Sequence, residues 1–131
     1  MSIKSFLALN FAKIVRKQIS KWADNPIETQ DKVFNYLIQN ATLTQFGKDH
    51  HFEKIHTYKD FKRAVPVRDY EGLKAYIERI KEGQSDVLWK GKPIYFAKTS
   101  GTTSGTKYIP ISKESMPTHI SAARNALLLY I

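Results

Sequence analysis

Cysteine is absent from all 131 residues, so the chain has no disulfide framework, no thiolate metal site and no thiol nucleophile. A reducing, cytoplasmic setting is compatible with that composition. Long apolar runs are missing too: Phe6-Leu7-Ala8-Leu9 is interrupted by Asn10 and Lys13, too short for a secretory signal core or a membrane span. The expectation is a soluble, unexported protein with no membrane partner. Acidic side chains are scarce beside basic ones, 12 against 21, which gives a formal net charge of +9. No run of five or more like charges accompanies that excess, and the basic residues are spread along the chain from Lys13, Arg16, Lys17 and Lys21 to Lys62 and Arg63. Such spacing argues against a nucleic-acid partner and for solvated helix faces and a field that attracts small anions.

What is present reads as a packed α+β protein. Hydrophobic residues make up 42% and charged residues 25%, the balance of a globular chain and not of a disordered tail. Residues 4–23 contain neither glycine nor proline, and Phe6, Leu7, Phe11, Ile14, Val15, Ile19 and Trp22 recur at helical intervals, predicting a long first helix. Its opposite face is basic, which suits solvent and leaves an interfacial membrane helix as the other reading. Asn25 as N-cap, Pro26 at the first helical position and Glu28 as a capping-box partner start a second helix over 26–41, with Val33, Phe34, Leu37, Ile38 and Ala41 on one stripe. These two helices are expected to pack as an antiparallel pair.

Periodicity then fails over residues 42–56, predicting an irregular connection in which His50 and His51, lacking acidic partners at ligand spacing, hold no metal. Thr57 with Asp60 caps a short helix over 58–64, and Val65-Pro66-Val67 is extended. Asp69 restarts a helix over 70–82 along Leu73, Tyr76, Ile77 and Ile80, with Gly83 as its left-handed stop. Two short strands within 94–111 predict a β-hairpin, with Pro110 keeping the second strand near an edge. A last helix follows from about residue 113, capped by Ser112 or Ser115. It is still apolar at Ile131, so the sequence is expected to be the N-terminal portion of a longer parent, able to associate through that apolar face.

The tip of the hairpin is the chemical feature. From Thr99 the chain runs Ser100, Gly101, Thr102, Thr103, Ser104, Gly105 and Thr106 to Lys107. Glycines let successive N–H groups face one concavity, hydroxyls add donors and lysine adds a positive charge, which together make a cradle for an anion. The P-loop pattern fails, because Gly101 and Gly105 are separated by three residues, Thr106 precedes the lysine and Tyr108 follows it. A dinucleotide fingerprint fails for want of a third glycine and because a strand, not a helix, comes next. An unliganded glycine and hydroxyl turn remains possible, although hairpin turns are usually shorter.

The loop resembles the phosphate-binding motif of the acyl-adenylate-forming enzymes, with Thr106 where that superfamily usually has proline or a small apolar residue. Phe46-Gly47-Lys48, Tyr58-Lys59-Asp60-Phe61, Val65-Pro66-Val67, Tyr70-Glu71, Tyr76-Ile77, Gly91-Lys92-Pro93 and then the loop resemble, in that order, the auxin-responsive promoter (Gretchen Hagen three) family of acyl acid amido synthetases. The resemblance covers most of residues 26–131. It implies a ligase that uses ATP and magnesium to convert a carboxylic acid to an acyl adenylate and then joins it to an amino acid. It further implies that Thr99, Ser100, Gly101, Thr102, Thr103, Ser104, Gly105 and Lys107 hold the ATP phosphates, Lys107 as a point charge and not a nucleophile. Adenine, ribose and acyl contacts would lie beyond Ile131, so the 131 residues alone are expected to adenylate nothing. The competing class is a non-catalytic helical module that binds an anion or a protein partner.

Overall fold

The computed structural model describes residues 3–100 and 105–130. Its elements are α1 (Ile3–Ala23), α2 (Pro26–Ala41), α3 (Gln45–Asp49), a 3-10 turn (Phe52–Lys54), α4 (Tyr58–Ala64), α5 (Tyr70–Lys81), β1 (Tyr95–Lys98), β2 (Tyr108–Ile111) and α6 (Met116–Leu128). The chain divides into two compact units, one from residues 1–32 and 114–131, the other from residues 33–113. Helix α2 contributes its first turns to the former and the remainder to the latter.

In the first unit α1 packs against α6, and the Arg124 guanidinium lies 5.7 Å from the centre of the Phe11 ring. The expected antiparallel pairing of α1 with α2 is therefore replaced by a partner from the far end of the sequence. The junction of α1 and α2 is tied by side chains: Asn25 donates to the Lys21 carbonyl, and the Thr29 hydroxyl to that of Trp22. Of the apolar stripe on α1 only Val15 is buried, while Phe6, Leu7, Phe11, Ile14 and Trp22 stay exposed, because one partner helix covers only a narrow strip. Helix α6 begins at Met116, three residues later than the sequence suggests, with Ser115 at the N-cap position and Pro117 in the first turn, where its missing N–H costs nothing.

The second unit is built around Ile38, Ala41, Phe52 and Ile55, against which Phe34, Phe46, Phe61, Ala64, Val65 and Trp89 pack. Half of that core comes from the stretch expected to be irregular. The reason is a compact turn: the Thr44 hydroxyl donates to the Ala41 carbonyl at 2.6 Å and accepts the Gly47 N–H at 3.0 Å, starting α3 after only three intervening residues. The first N–H groups of α3 find no partner inside a five-residue helix, and those of Gln45 and Phe46 donate to the carbonyls of Asp86 and Val87 at 2.7 and 2.9 Å. His50, the C-cap of α3, is buried and stacked 4.1 Å from Phe46, with Nδ1 2.8 Å from the Phe46 carbonyl oxygen and Nε2 2.8 Å from an Arg68 nitrogen. Both ring nitrogens are thereby engaged.

Helices α4 and α5 follow their sequence signals. Thr57 and Asp60 form a reciprocal capping box, and Asp69 accepts the Gly72 N–H at 2.9 Å. Gly83, at φ +92°, ends α5 with its N–H on the Ile80 carbonyl while Gln84 donates to that of Arg79, the paired closure of a left-handed cap. Buried Ile77 and Ile80 fix the inner face of α5.

Several carboxylates are stabilised as anions by this local bonding. The Thr57 hydroxyl holds Asp60 below its ordinary value, and the Tyr76 hydroxyl, then Gln45, do so for Asp49. A carboxylate depressed in the folded state binds fewer protons than it does unfolded, so its contribution is whole above about pH 4 and is lost as pH falls through the folded value. Thermal unfolding is thus expected to be flat from pH 7 to about 5 and to drop in temperature below about 4. Thr57→Val, which removes the largest cause at Asp60, should shallow that acid limb. An identical limb in the variant would contradict this assignment.

Candidate functional site

Strands β1 and β2 pair antiparallel with Tyr95 opposite Ile111, Phe96 opposite Pro110, Ala97 opposite Ile109 and Lys98 opposite Tyr108. One more bond, from the Ile94 N–H to the Ile111 carbonyl, extends the ladder by a residue. Pro110 has no N–H to give, and a two-stranded sheet, in which each strand is an edge, accommodates it.

The loop at the tip is closed at its base twice. The Thr99 N–H donates to the Lys107 carbonyl at 3.1 Å, and the Lys107 N–H donates back to the Thr99 hydroxyl at 3.3 Å. Gly105 adopts φ +78°, and a Cβ built there would meet nothing within 4 Å, so the backbone angle and not space requires glycine. Thr99, Ser100 and Thr106 are exposed, and Lys107 is half-buried. Gly101, Thr102, Thr103 and Ser104, four of the eight expected site residues, lie outside the described residues.

Helix α5 supports the hairpin from below the loop. The Tyr108 N–H donates to the Tyr70 hydroxyl oxygen at 2.9 Å. The Lys81 ammonium sits 4.7 Å from the centre of the Tyr108 ring and is bonded to Glu78 at 2.7 and 2.9 Å, which raises its pKa. The Lys107 ammonium lies 5.8 Å from the centre of the Tyr70 ring. No carboxylate among the described residues is within ion-pair distance of Lys107. Sequence reasoning missed Tyr70, Tyr108 and Lys81. Tyr70 lies on the same helical stripe as Leu73 and Ile77, a signal that it faces inward, but nothing local reveals a partner 38 positions away.

An apolar cavity of ≈ 220 Å³ beside the end of β2 is lined by Ile80, Val87, Leu88, Trp89 and Pro110 among others. It falls below the roughly 300–1,000 Å³ of small-molecule sites. The hydroxyl loop, with its glycines, hydroxyls and lysine, is the stronger candidate for holding an anion. Among the described residues no group of three histidine or carboxylate side chains is placed to hold a metal ion, and no helix is long and apolar enough to cross a membrane.

A hairpin with a long, base-closed hydroxyl loop, seated on a helix behind a small helical core, is a combination that can be compared with known proteins. The family model described as the GH3 family N-terminal domain matches residues 15–130. The chain belongs to the GH3 family. The indole-3-acetic acid-amido synthetase GH3.2 of Arabidopsis thaliana is 32% identical over 102 residues, covering 76% of this chain and 19% of that protein. The jasmonoyl-L-amino acid synthetase JAR4 of Nicotiana attenuata is 38% identical over 91 residues, covering 68% and 15%. Among solved structures, the GH3.15 acyl acid amido synthetase matches with a TM-score of 0.70 at 26% identity, covering 78% of this chain and 19% of that one. The mostly helical architecture with one two-stranded antiparallel sheet is that of the GH3 N-terminal region. The chain spans between 15% and 19% of the length of these relatives.

Proposed function

We propose that this chain is the N-terminal portion of the adenylating domain of an ATP-dependent ligase that conjugates a carboxylic acid to an amino acid, and that Thr99 to Lys107 hold the ATP β and γ phosphates. The observation that carries the reading is the base-closed loop of a GH3-family chain, with Gly105 at a positive φ that favours glycine and a half-buried lysine that no carboxylate among the described residues neutralises. In such a reaction the acid's carboxylate oxygen bonds to the α phosphorus and pyrophosphate leaves. What that step asks of this segment is to fix the departing polyanion and offset its charge, a task for hydroxyls, backbone N–H groups and a lysine point charge. Magnesium would come with the nucleotide, coordinated by phosphate oxygens.

Titration of the chain with magnesium ATP, followed at the backbone amides, should shift resonances from residue 99 to residue 107 and leave α1, α2 and α3 unmoved. Absence of those shifts would overturn the reading and favour the partner-binding module, whose surface would be the exposed apolar residues of α1 and α6. The segment handles only the polyphosphate tail, so the purified 131-residue chain should show no ATP-pyrophosphate exchange with any acid. Turnover by it would refute this division of labour.

A further inference from the structure

We infer that Tyr70 is the positioning residue of the polyphosphate loop, an assignment that rests on the reading of that loop given above. Tyr70 acts on two consecutive residues at the loop's exit. Its hydroxyl accepts the first N–H of β2, from Tyr108, and its ring face lies under the ammonium of Lys107. The tyrosine is itself held from behind: it is the first residue of α5, whose N-cap Asp69 accepts the Gly72 N–H. One side chain thus fixes both where the strand begins and where the preceding charge is stored.

The kind of contact matters. A cation over an aromatic face is held more weakly than a cation hydrogen-bonded to an oxyanion. Tyr70 therefore keeps the Lys107 ammonium at the loop without neutralising it, so a phosphate can bond the ammonium where it already stands. Lys81 displays the other outcome on the same helix, since it too stands over a ring, that of Tyr108, but its charge is already engaged by Glu78. The two lysines flank one tyrosine pair, and of them Lys107 has no carboxylate partner among the described residues.

The test compares Tyr70→Phe, which keeps the ring and loses the hydroxyl, with Tyr70→Leu, which loses both. In the free wild-type chain the Lys107 side-chain methylene protons next to the ammonium should show an upfield ring-current shift. The shift should persist in Tyr70→Phe and in the wild type on addition of magnesium ATP, and vanish in Tyr70→Leu. The Tyr108 amide should exchange faster in both variants. Affinity for magnesium ATP should fall roughly twofold in Tyr70→Phe and about tenfold in Tyr70→Leu. In the full-length ligase kcat/KM for ATP should fall by similar factors. If wild-type loop amides respond to magnesium ATP but the variants bind it equally well and Lys107 keeps its shift in Tyr70→Leu, the role of Tyr70 is refuted and the loop reading stands. If the wild type itself does not respond, both are overturned. Should Tyr70→Leu fail to fold, Tyr70→Phe decides: wild-type exchange at Tyr108 together with wild-type affinity would refute the assignment.

Discussion

On the proposed function, Lys107→Ala in a full-length ligase carrying this segment should slow ATP-pyrophosphate exchange by roughly 10²-fold or more, the scale set by removing one charged or hydrogen-bonding group aimed at developing negative charge. The size follows from the setting of the side chain. Lys107 is half-buried at the closed base of the loop and, among the described residues, is not in an ion pair, so its charge remains available to a ligand. Replacing it removes a unit of charge opposite a polyanion while leaving the two backbone bonds to Thr99 intact. The fold should hardly register the change, and unfolding free energy should move by less than about 1 kcal/mol, as for other substitutions outside a core or network. Lys107→Arg should recover only part of the rate, because a planar fork does not reproduce a compact ammonium. Isotope exchange between pyrophosphate and ATP checks the prediction. A rate in Lys107→Ala equal to that of the wild type would remove the lysine from the site.

The largest effect on folding is expected from Gly47→Ala. A Cβ at this position would overlap the carbonyl oxygen of Ala41 and lie 2.9 Å from both the Ala41 carbonyl carbon and the Thr42 oxygen. These are backbone atoms of the tight turn that joins α2 to α3, so no side chain can swing aside to make room. Relief requires α3 to move, and α3 with its caps Thr44 and His50 brings those two side chains and Phe46 into the second unit. The cost should be about 3 kcal/mol or more, at the upper end for overpacking. Gly72→Ala is the control. Its Cβ would lie 3.1 Å from the Arg68 Cβ, a crowding that a small shift relieves, and alanine is the better helix former by about 1 kcal/mol. Denaturant unfolding of the two variants should therefore diverge, with Gly72→Ala within about 1 kcal/mol of the wild type. Equal stability of Gly47→Ala and the parent chain would show that the turn yields easily.

Helices with caps and several turns could be read from the sequence because their signals are local. The Thr57 and Asp60 pair, Asp69 and Gly83 each act within four residues of themselves, and the structure uses them as the sequence predicts. Residues 42–56 could not be read, since α3 is too short to show a period and owes its place to Asp86 and Val87. The α1 stripe misled for a different reason: helical spacing reports which residues share a face, not which element covers it, and α6 reaches only part of that face. At the site, the hydroxyl loop was legible as composition, and its closure by Thr99 and Lys107 agrees with a hairpin. The support from Tyr70 was not, because tertiary hydrogen bonds leave no trace in spacing. The family word Phe46-Gly47-Lys48 also gains a physical sense, as the glycine in it answers to a close approach of backbones.

The bonds from Gln45 and Phe46 to Asp86 and Val87 also couple distant parts of the second unit. Their partners stand roughly forty positions later, so the α3 turn is completed only once the intervening α4 and α5 have brought residues 86 and 87 back to it. Closing a loop of that length costs chain entropy that a single local helix does not. The core of the second unit and the helix that underlies the hairpin should therefore be lost together on unfolding. Loss of the turn at Gly47 would then be felt at Lys107 even though the two never touch.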